Sequence, residues 1–312
     1  MKVHFWGVRG SVPTPLTPQQ VQSKIMAAIQ RVTPHDIVSE DARARFINNL
    51  PPWLFGTTGG NTPCVQLSGD DGTEVILDAG SGLRAMGKSV SPPPSKKYYL
   101  LFSHYHWDHI QGLPFFDHAY NPDMTFEVYS AFPAAKKILA RQMYRPYYPV
   151  SFESLTKNFI FHCIKPGELF RIGCFDVCCC KMSHPGNSYS YAFKCNGKHF
   201  VYATDVGLSQ KDFARTPEHV AVFENADVII LDSQYTVAEA HEKENWGHSA
   251  FCYAIDFAIH WHIKDVYLFH HEPTYDDRKL NAILTAARWY AHYVEHSGLS
   301  VFIAQEGKEI EL

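Results

Sequence analysis

Three histidines and an aspartate crowd into Ser103-His104-Tyr105-His106-Trp107-Asp108-His109. Imidazole and carboxylate groups are ligands for zinc, manganese and iron. Just before them runs Tyr98-Tyr99-Leu100-Leu101-Phe102, hydrophobic enough to read as a buried strand, and Ile110-Gln111-Gly112-Leu113-Pro114 follows. On an extended segment His104 and His106 point to the same side, because side chains alternate with period two. Both can therefore grip one ion. Asp108 and His109 come after the turn and are free to reach a second ion beside the first. The chain has 18 His, so a chance pair is common; four potential ligands packed behind one buried strand are not.

Three later positions repeat the pattern of an apolar strand that stops at a lone His or Asp. His184 lies in Ser183-His184-Pro185-Gly186, Asp205 in Thr204-Asp205-Val206-Gly207, and His270 in His270-His271-Glu272-Pro273. Loops at strand ends are where a rigid scaffold presents functional groups. Singly, each reads as a solvated loop residue. Together with the central cluster they supply what a two-metal centre needs.

Many strands are required to position these loops. Strand patterns cover Val3–Val8, Thr62–Leu67, Thr73–Leu77, Thr125–Ser130, Phe159–Cys163, Phe175–Met182, Tyr189–Cys195, His199–Ala203, Val228–Leu231 and Val266–Phe269, with Ser300–Ala304 as a closing strand. Asp70-Asp71-Gly72 is a hairpin turn. Helical patterns cover Phe132–Arg145, Ser249–His262 and Asp276–His296. An inserted helical flap over about 17–56 carries Val21, Ile25, Ala28, Ile29 and Val32 at helical spacing, then a short helix from Asp41 to Asn49. Strands first, then strands alternating with helices, suit two mixed sheets packed face to face with helices outside. No repeat or low-complexity segment divides the chain, so residues 1–312 are expected to form one domain. The aromatic run of residues 143–148 suits either a substrate-pocket wall or ordinary packing.

Composition narrows the function. In 312 residues, 46% are hydrophobic and 19% charged, with a net charge of −4 and no block of Lys/Arg. That disfavours nucleic acid as a partner, since phosphate-backbone affinity rests on a basic surface. The apolar runs are strand-sized, so no membrane span is expected. The N-terminus enters a strand directly, without a signal-peptide pattern, and the eight Cys form no CxxC pair. Reduced, mostly buried thiols in a cytoplasmic protein are the expectation. The sequence sets no oligomeric state and leaves a homodimer open.

The His-x-His-x-Asp-His run at 104–109, followed by separate His, Asp and His positions in that order, resembles the metallo-β-lactamase superfamily over essentially the whole chain. The resemblance implies an α+β fold, a four-layer αββα sandwich. It implies one metal on His104, His106 and His184, a second on Asp108, His109 and His270, and Asp205 bridging the two. His270 matches the family's pattern better than His271. The opening Phe5-Trp6-Gly7-Val8-Arg9-Gly10-Ser11 with Gly60-Asn61-Thr62 is similar to the phosphodiesterase branch, which includes the tRNA 3′-processing endonucleases and the carbon–phosphorus lyase accessory phosphodiesterase. Trp246-Gly247-His248-Ser249 resembles the segment that supplies a further histidine near the metals in that branch. Two departures count against tRNA: Asp232-Ser233-Gln234-Tyr235-Thr236 stands where the tRNA enzymes have His-Glu-Ala-Thr, and no glycine-rich arm is present.

The resemblance implies a hydrolase with two divalent ions, zinc or manganese with iron as a further candidate, acting on a small phosphodiester such as a cyclic nucleotide or a nucleotide-derived ester. Asp108 would take or orient the nucleophile's proton, and His248, oriented by Asp232, would be the general acid. Arg9 and Asn61 are candidates to meet the substrate phosphate. Two other readings compete: a thioester or lactone hydrolase of the same superfamily, and a diiron oxidoreductase, against which the absence of a following flavin-binding segment counts.

Overall fold

Side-chain alternation decides the layers. In a computed structural model that describes residues 1–295 and 298–312, the strands are β1 (Lys2–Gly7), β2 (Cys64–Ser68), β3 (Glu74–Leu77), β4 (Lys97–Leu101), β5 (Thr125–Ser130), β6 (Phe159–Cys163) and β7 (Phe170–Ile172), then β8 (Phe175–Met182), β9 (Ser188–Cys195), β10 (Lys198–Ala203), β11 (Val228–Asp232), β12 (Asp265–Phe269), β13 (Ser300–Ile303) and β14 (Glu309–Glu311). They form two seven-stranded sheets, ordered β14-β1-β2-β3-β4-β5-β6 and β13-β12-β11-β10-β9-β8-β7.

Successive residues of one strand enter different cores, as a period of two requires. Val75 and Leu77 of β3 lie between the sheets while Ile76 faces outward. Ile229 and Leu231 of β11 pack under helices while Val228 and Ile230 face the other sheet. The same rule splits the cysteine run of β8: Cys178 and Cys180 face the helices, Cys179 the inter-sheet core. Helices Phe251–His260 and Asp277–Glu295 cover the second sheet and helix Gly82–Ser89 the first. This is the expected αββα order. All eight cysteines are free thiols, and among the described residues no helix is long and apolar enough to cross a membrane.

Both sheets are mixed. β3 through β6 run parallel, as do β10 through β13. The carboxyl ends of these parallel strands, where open α/β sheets place their ligands, open on the same cleft.

Several expectations need correction. The Phe132–Arg145 helix shrinks to Ala135–Gln142, and the Ser249–His262 helix begins at Phe251 because Ala250 is engaged in a bridge with Tyr235. The strand at Ser300 does not close the fold, since β14 returns to pair with β1; three residues are too few to show a period. Helix Pro217–Phe223 was signalled by its Thr216 cap and Pro217 but had no long apolar pattern. The expected helix end at His296 lies outside the described residues. The insertion is helical as expected, at Pro18–Ile29 and Glu40–Asn48, but Val21, Ile25 and Ile29 are exposed. Its anchor is polar instead: Lys24 Nζ donates to buried Asp277 at 2.6 Å and to the Trp53 carbonyl at 2.7 Å.

Candidate metal centre

Each cluster residue sits where a strand ends. The loop after β4 carries His104 and His106, and the short helix Trp107–Ile110 turns Asp108 and His109 inward. His184 follows β8, Asp205 follows β10, Asp232 ends β11 and His270 follows β12. Three of the strand-end residues, Asp78, Asp205 and His270, hold left-handed backbone, with φ of 59°, 49° and 61°. Non-glycine residues in this region are uncommon and cluster at functional sites. The turn ends each strand abruptly and aims its side chain into the cleft.

Two cages result. His104, His106, His184 and Asp205 form one; Asp108, His109, His270 and Asp205 form the other, and within each the donor atoms lie within 4.8 Å of one another. Asp205 divides its oxygens between them. Its Oδ2 is 3.4 Å from His104 Nε2 and 3.8 Å from His184 Nε2. Its Oδ1 is 3.1 Å from His109 Nε2 and 3.2 Å from His270 Nε2. Asp108 Oδ2 completes the second cage, 3.2 Å from His109 Nε2 and 3.1 Å from His270 Nε2. A tetrahedral ion with bonds of about 2.0–2.1 Å needs donor–donor edges of about 3.3–3.4 Å, so these spacings suit it.

The ions can also be tested on unmet polar atoms. His104 Nε2 and His109 Nε2 are buried and have no hydrogen-bond partner. A buried polar nitrogen without a partner costs about 1–3 kcal/mol, and here both nitrogens aim into the cages. The donor set fits two divalent cations.

Outer partners fix which nitrogen carries the proton. His109 Nδ1 donates to Asp78 Oδ2 at 2.8 Å. His104 Nδ1 lies 3.0 Å from Ser103 Oγ, whose own proton goes to the same Asp78 oxygen at 2.6 Å. His184 Nδ1 donates to the Gly247 carbonyl at 2.8 Å, and His270 Nδ1 sits 3.2 Å from Gln234 Oε1. Each bond leaves Nε2 with its lone pair toward the metal position. Two glycines are required for this closeness. A Cβ on Gly10 would meet His270 Nδ1 at 2.5 Å. One on Gly247, whose φ is +87°, would meet His184 Nδ1 at 2.4 Å.

Burial pulls His104, His106 and His184 below the usual imidazole range, keeping them neutral donors. Burial acts on Asp108 and Asp205 in the opposite sense, but neighbouring imidazoles, His109 foremost, outweigh it and hold both well below the usual carboxylate range. For His109 burial is again opposed, by Asp205, Asp108 and Asp78, and the balance raises it. A cation in the second cage would feel that same carboxylate field.

Beside the cages, His248 Nδ1 donates to fully buried Asp232 at 2.7 Å, and its ring stacks on His270 at 4.8 Å. Burial lowers the His248 pKa, but Asp232, then Asp205 and Asp108, outweigh it, so the net direction is upward. The cleft above the cages has a volume of about 380 Å³ and is lined by Ser11, Tyr105, His106, Trp107, Asp108, Asp205, His248 and His270.

The nine residues from His104 to His270 thus meet in one place. Arg9 and Asn61 do not join them. Arg9 is buried, its guanidinium donating to the carbonyls of Gly59, Glu272 and Tyr275; a phosphate would have to displace three bonds. Asn61 donates to Glu306 Oε2 and accepts from Ser81 Oγ. Both side chains tie loops together. His271 is buried and bonded to the Ala304 carbonyl at 2.9 Å, apart from the cages. The aromatic segment 143–148 borders a separate cavity that shares no lining residue with the cleft. Sequence reasoning missed Asp78, Ser103, Gln234 and the Ser11 backbone N–H, which donates to Asp108 Oδ2 at 2.8 Å. Asp78 offered the same signal as Asp205, an acid directly after an apolar strand.

Residues 73–271 match the family described as a beta-lactamase superfamily domain. No curated protein sequence matches the chain. Among solved structures, human tRNase Z (short form) is 16% identical with a TM-score of 0.64, covering 100% of this chain and 99% of its own. A diphosphatase of the PhnP family is 16% identical with a TM-score of 0.62, covering 100% and 97%. Zinc-bound PqqB from Methylobacterium extorquens is 15% identical with a TM-score of 0.65, covering 100% of each. At such identities the likeness is one of fold.

Proposed function

The chain belongs to the metallo-β-lactamase superfamily, and from that premise we propose that it is a dinuclear-metal hydrolase of a small phosphodiester. The observation that carries the reading is the division of one carboxylate, Asp205, between two four-donor cages, with His248 beside them on a buried aspartate. Held by His104, His106 and His184 on one side and by Asp108, His109 and His270 on the other, with Asp205 shared, two divalent ions would supply positive charge to the phosphate oxygens and would acidify a water.

The chain's own groups do the rest. Asp108, held by the Ser11 N–H and lining the cleft, orients the attacking water. His248 keeps one proton on Nδ1 for Asp232, which turns Nε2 to the cleft. Asp232, then Asp205 and Asp108, favour a second proton on that nitrogen, placed for delivery to the leaving oxygen. Asp232 is held in turn by the Val206 and Gln234 backbone N–H groups at 3.1 and 3.0 Å. A phosphorus centre suits this pair of cages because its in-line attacking and leaving oxygens both need charge compensation. Two of the fold neighbours are a tRNase Z and a PhnP-family diphosphatase, which supports a phosphate reading. Zinc or manganese suits the His/Asp donors, and iron is accommodated by the same set. Eight free cysteines accord with a cytoplasmic location.

The test is a metal-reconstituted screen of bis(p-nitrophenyl) phosphate against a phosphomonoester, a thioester and a lactone. Turnover of the diester, dependent on added metal, is expected. A response confined to the thioester or the lactone would overturn the reading.

A further inference from the structure

We infer that Trp107 is a specificity-determining residue that stacks on a nucleobase, making the substrate a nucleoside-containing phosphodiester; this rests on the phosphodiesterase reading above. Trp107 stands between the cage residues His106 and Asp108, at the start of the short helix that aims Asp108 and His109 inward. It is 84% exposed and lines the cleft above the cages. Among the described residues its indole has neither a ring contact nor a hydrogen-bond partner; only its backbone carbonyl is engaged, by the Gln111 N–H at 2.8 Å.

Its surroundings make that exposure informative. The other aromatic residue lining the cleft, Tyr105, is already engaged: its hydroxyl donates to Ser130 Oγ at 2.8 Å, and its ring packs on Phe102 and Phe132 at 5.2 and 5.3 Å. The remaining lining groups are the polar cage residues, Ser11 and His248. A diester seated at the cages can project an ester group along this wall, and Trp107 is the one broad apolar face in the lining that is not already packed. A planar, apolar-faced ring with polar edges fits such a surface, and a nucleobase on a phosphate ester has that chemistry. Base stacking on an aromatic side chain tolerates any base, because every base has a π-face. The inference is therefore of a nucleotide class rather than a particular base. The net charge of −4 and the lack of a basic track favour a short ester over a long polyanion.

Two measurements on the metal-loaded full chain decide it. Hydrolysis of adenosine 5′-(methyl phosphate) and ribose 5-(methyl phosphate), which differ only in the base, is followed by chromatography for wild type, Trp107→Ala and Trp107→Phe. The wild type should prefer the adenosine ester in kcat/KM. Trp107→Ala should lose about 5- to 150-fold of that preference while its rate on the ribose ester stays within about threefold. Trp107→Phe should restore most of the preference. In parallel, calorimetric titration with AMP and with ribose 5-phosphate reads the base contribution without turnover, and Trp107→Ala should abolish the difference between the two ligands. If both esters are hydrolysed and the preference is the same in wild type and Trp107→Ala, stacking is wrong while the hydrolase reading stands. If neither ester is turned over, the reading of the reaction fails, and the calorimetric pair still decides the stacking: equal loss of AMP and ribose 5-phosphate binding, or no loss at all, overturns it.

Discussion

Replacing Asp78 with asparagine should weaken metal binding at both cages, although Asp78 belongs to neither. The carboxylate is buried and accepts four hydrogen bonds. Its Oδ2 receives Ser103 Oγ at 2.6 Å, His109 Nδ1 at 2.8 Å and the Tyr202 hydroxyl at 2.8 Å; its Oδ1 receives the Ser103 backbone N–H at 2.8 Å. Asparagine has one acceptor oxygen. If that oxygen takes the Oδ2 position, its NH2 faces the Ser103 N–H; if it takes the Oδ1 position, the NH2 faces three donors. In either orientation a buried donor loses its acceptor, at about 1–3 kcal/mol, and His109 loses its charged partner. His104 is reached through Ser103, so both cages lose an orienting bond. Loss of such an outer partner typically lowers metal affinity about 10- to 100-fold, equivalent to about 1.4–2.7 kcal/mol. Zinc affinities measured by competition with a chromophoric chelator should fall by that factor at both sites, with circular dichroism showing a folded chain. Ser103→Ala supplies the contrast, because it should weaken mainly the His104 cage, by about 2- to 12-fold. A folded Asp78→Asn protein that binds two zinc ions as tightly as wild type would refute the argument.

Asp205→Ala should remove the shared ligand, and elemental analysis after dialysis should find fewer than two equivalents of metal; retention of both ions would contradict the bridging assignment. His248→Ala should keep both ions yet lower kcat by about 10²- to 10⁴-fold on a diester with a poor leaving group. Unchanged turnover there would remove His248 as the acid. A fourth expectation concerns acid stability. His199 is buried, with Nε2 on the Val222 carbonyl at 3.0 Å, and burial pushes its pKa down to about 4 from the usual 6.5. The unfolded chain therefore binds the proton first. The stability is intact above about pH 6.5 and falls as pH drops toward 4, by at most about 1.4 kcal/mol for each pH step. Urea melts between pH 7 and 4.5 should show a shallower decline for His199→Gln than for wild type, and parallel curves would count against the assignment.

The sequence by itself determined the chemistry. Four donors behind one apolar run, and three more at later strand ends, are set by residue type and by a period of two, both written in the chain. So were the layers, because Val75, Ile76 and Leu77, or Val228 to Leu231, can only bury alternate side chains on opposite faces. The tertiary structure decided what depends on residues far apart in sequence. Which oxygen of Asp205 serves which cage follows from strands brought side by side and from a left-handed turn at its end. Arg9, a plausible phosphate ligand on sequence grounds, is consumed by carbonyls more than 250 positions away at Glu272 and Tyr275 and by Gly59 on another loop. Asp78, which sequence reasoning missed, became the support common to both cages because Ser103, His109 and Tyr202 converge on it. A local pattern records what a side chain can do; only the packed chain settles which neighbours it meets, since hydrogen-bond geometry depends on distances the sequence does not encode.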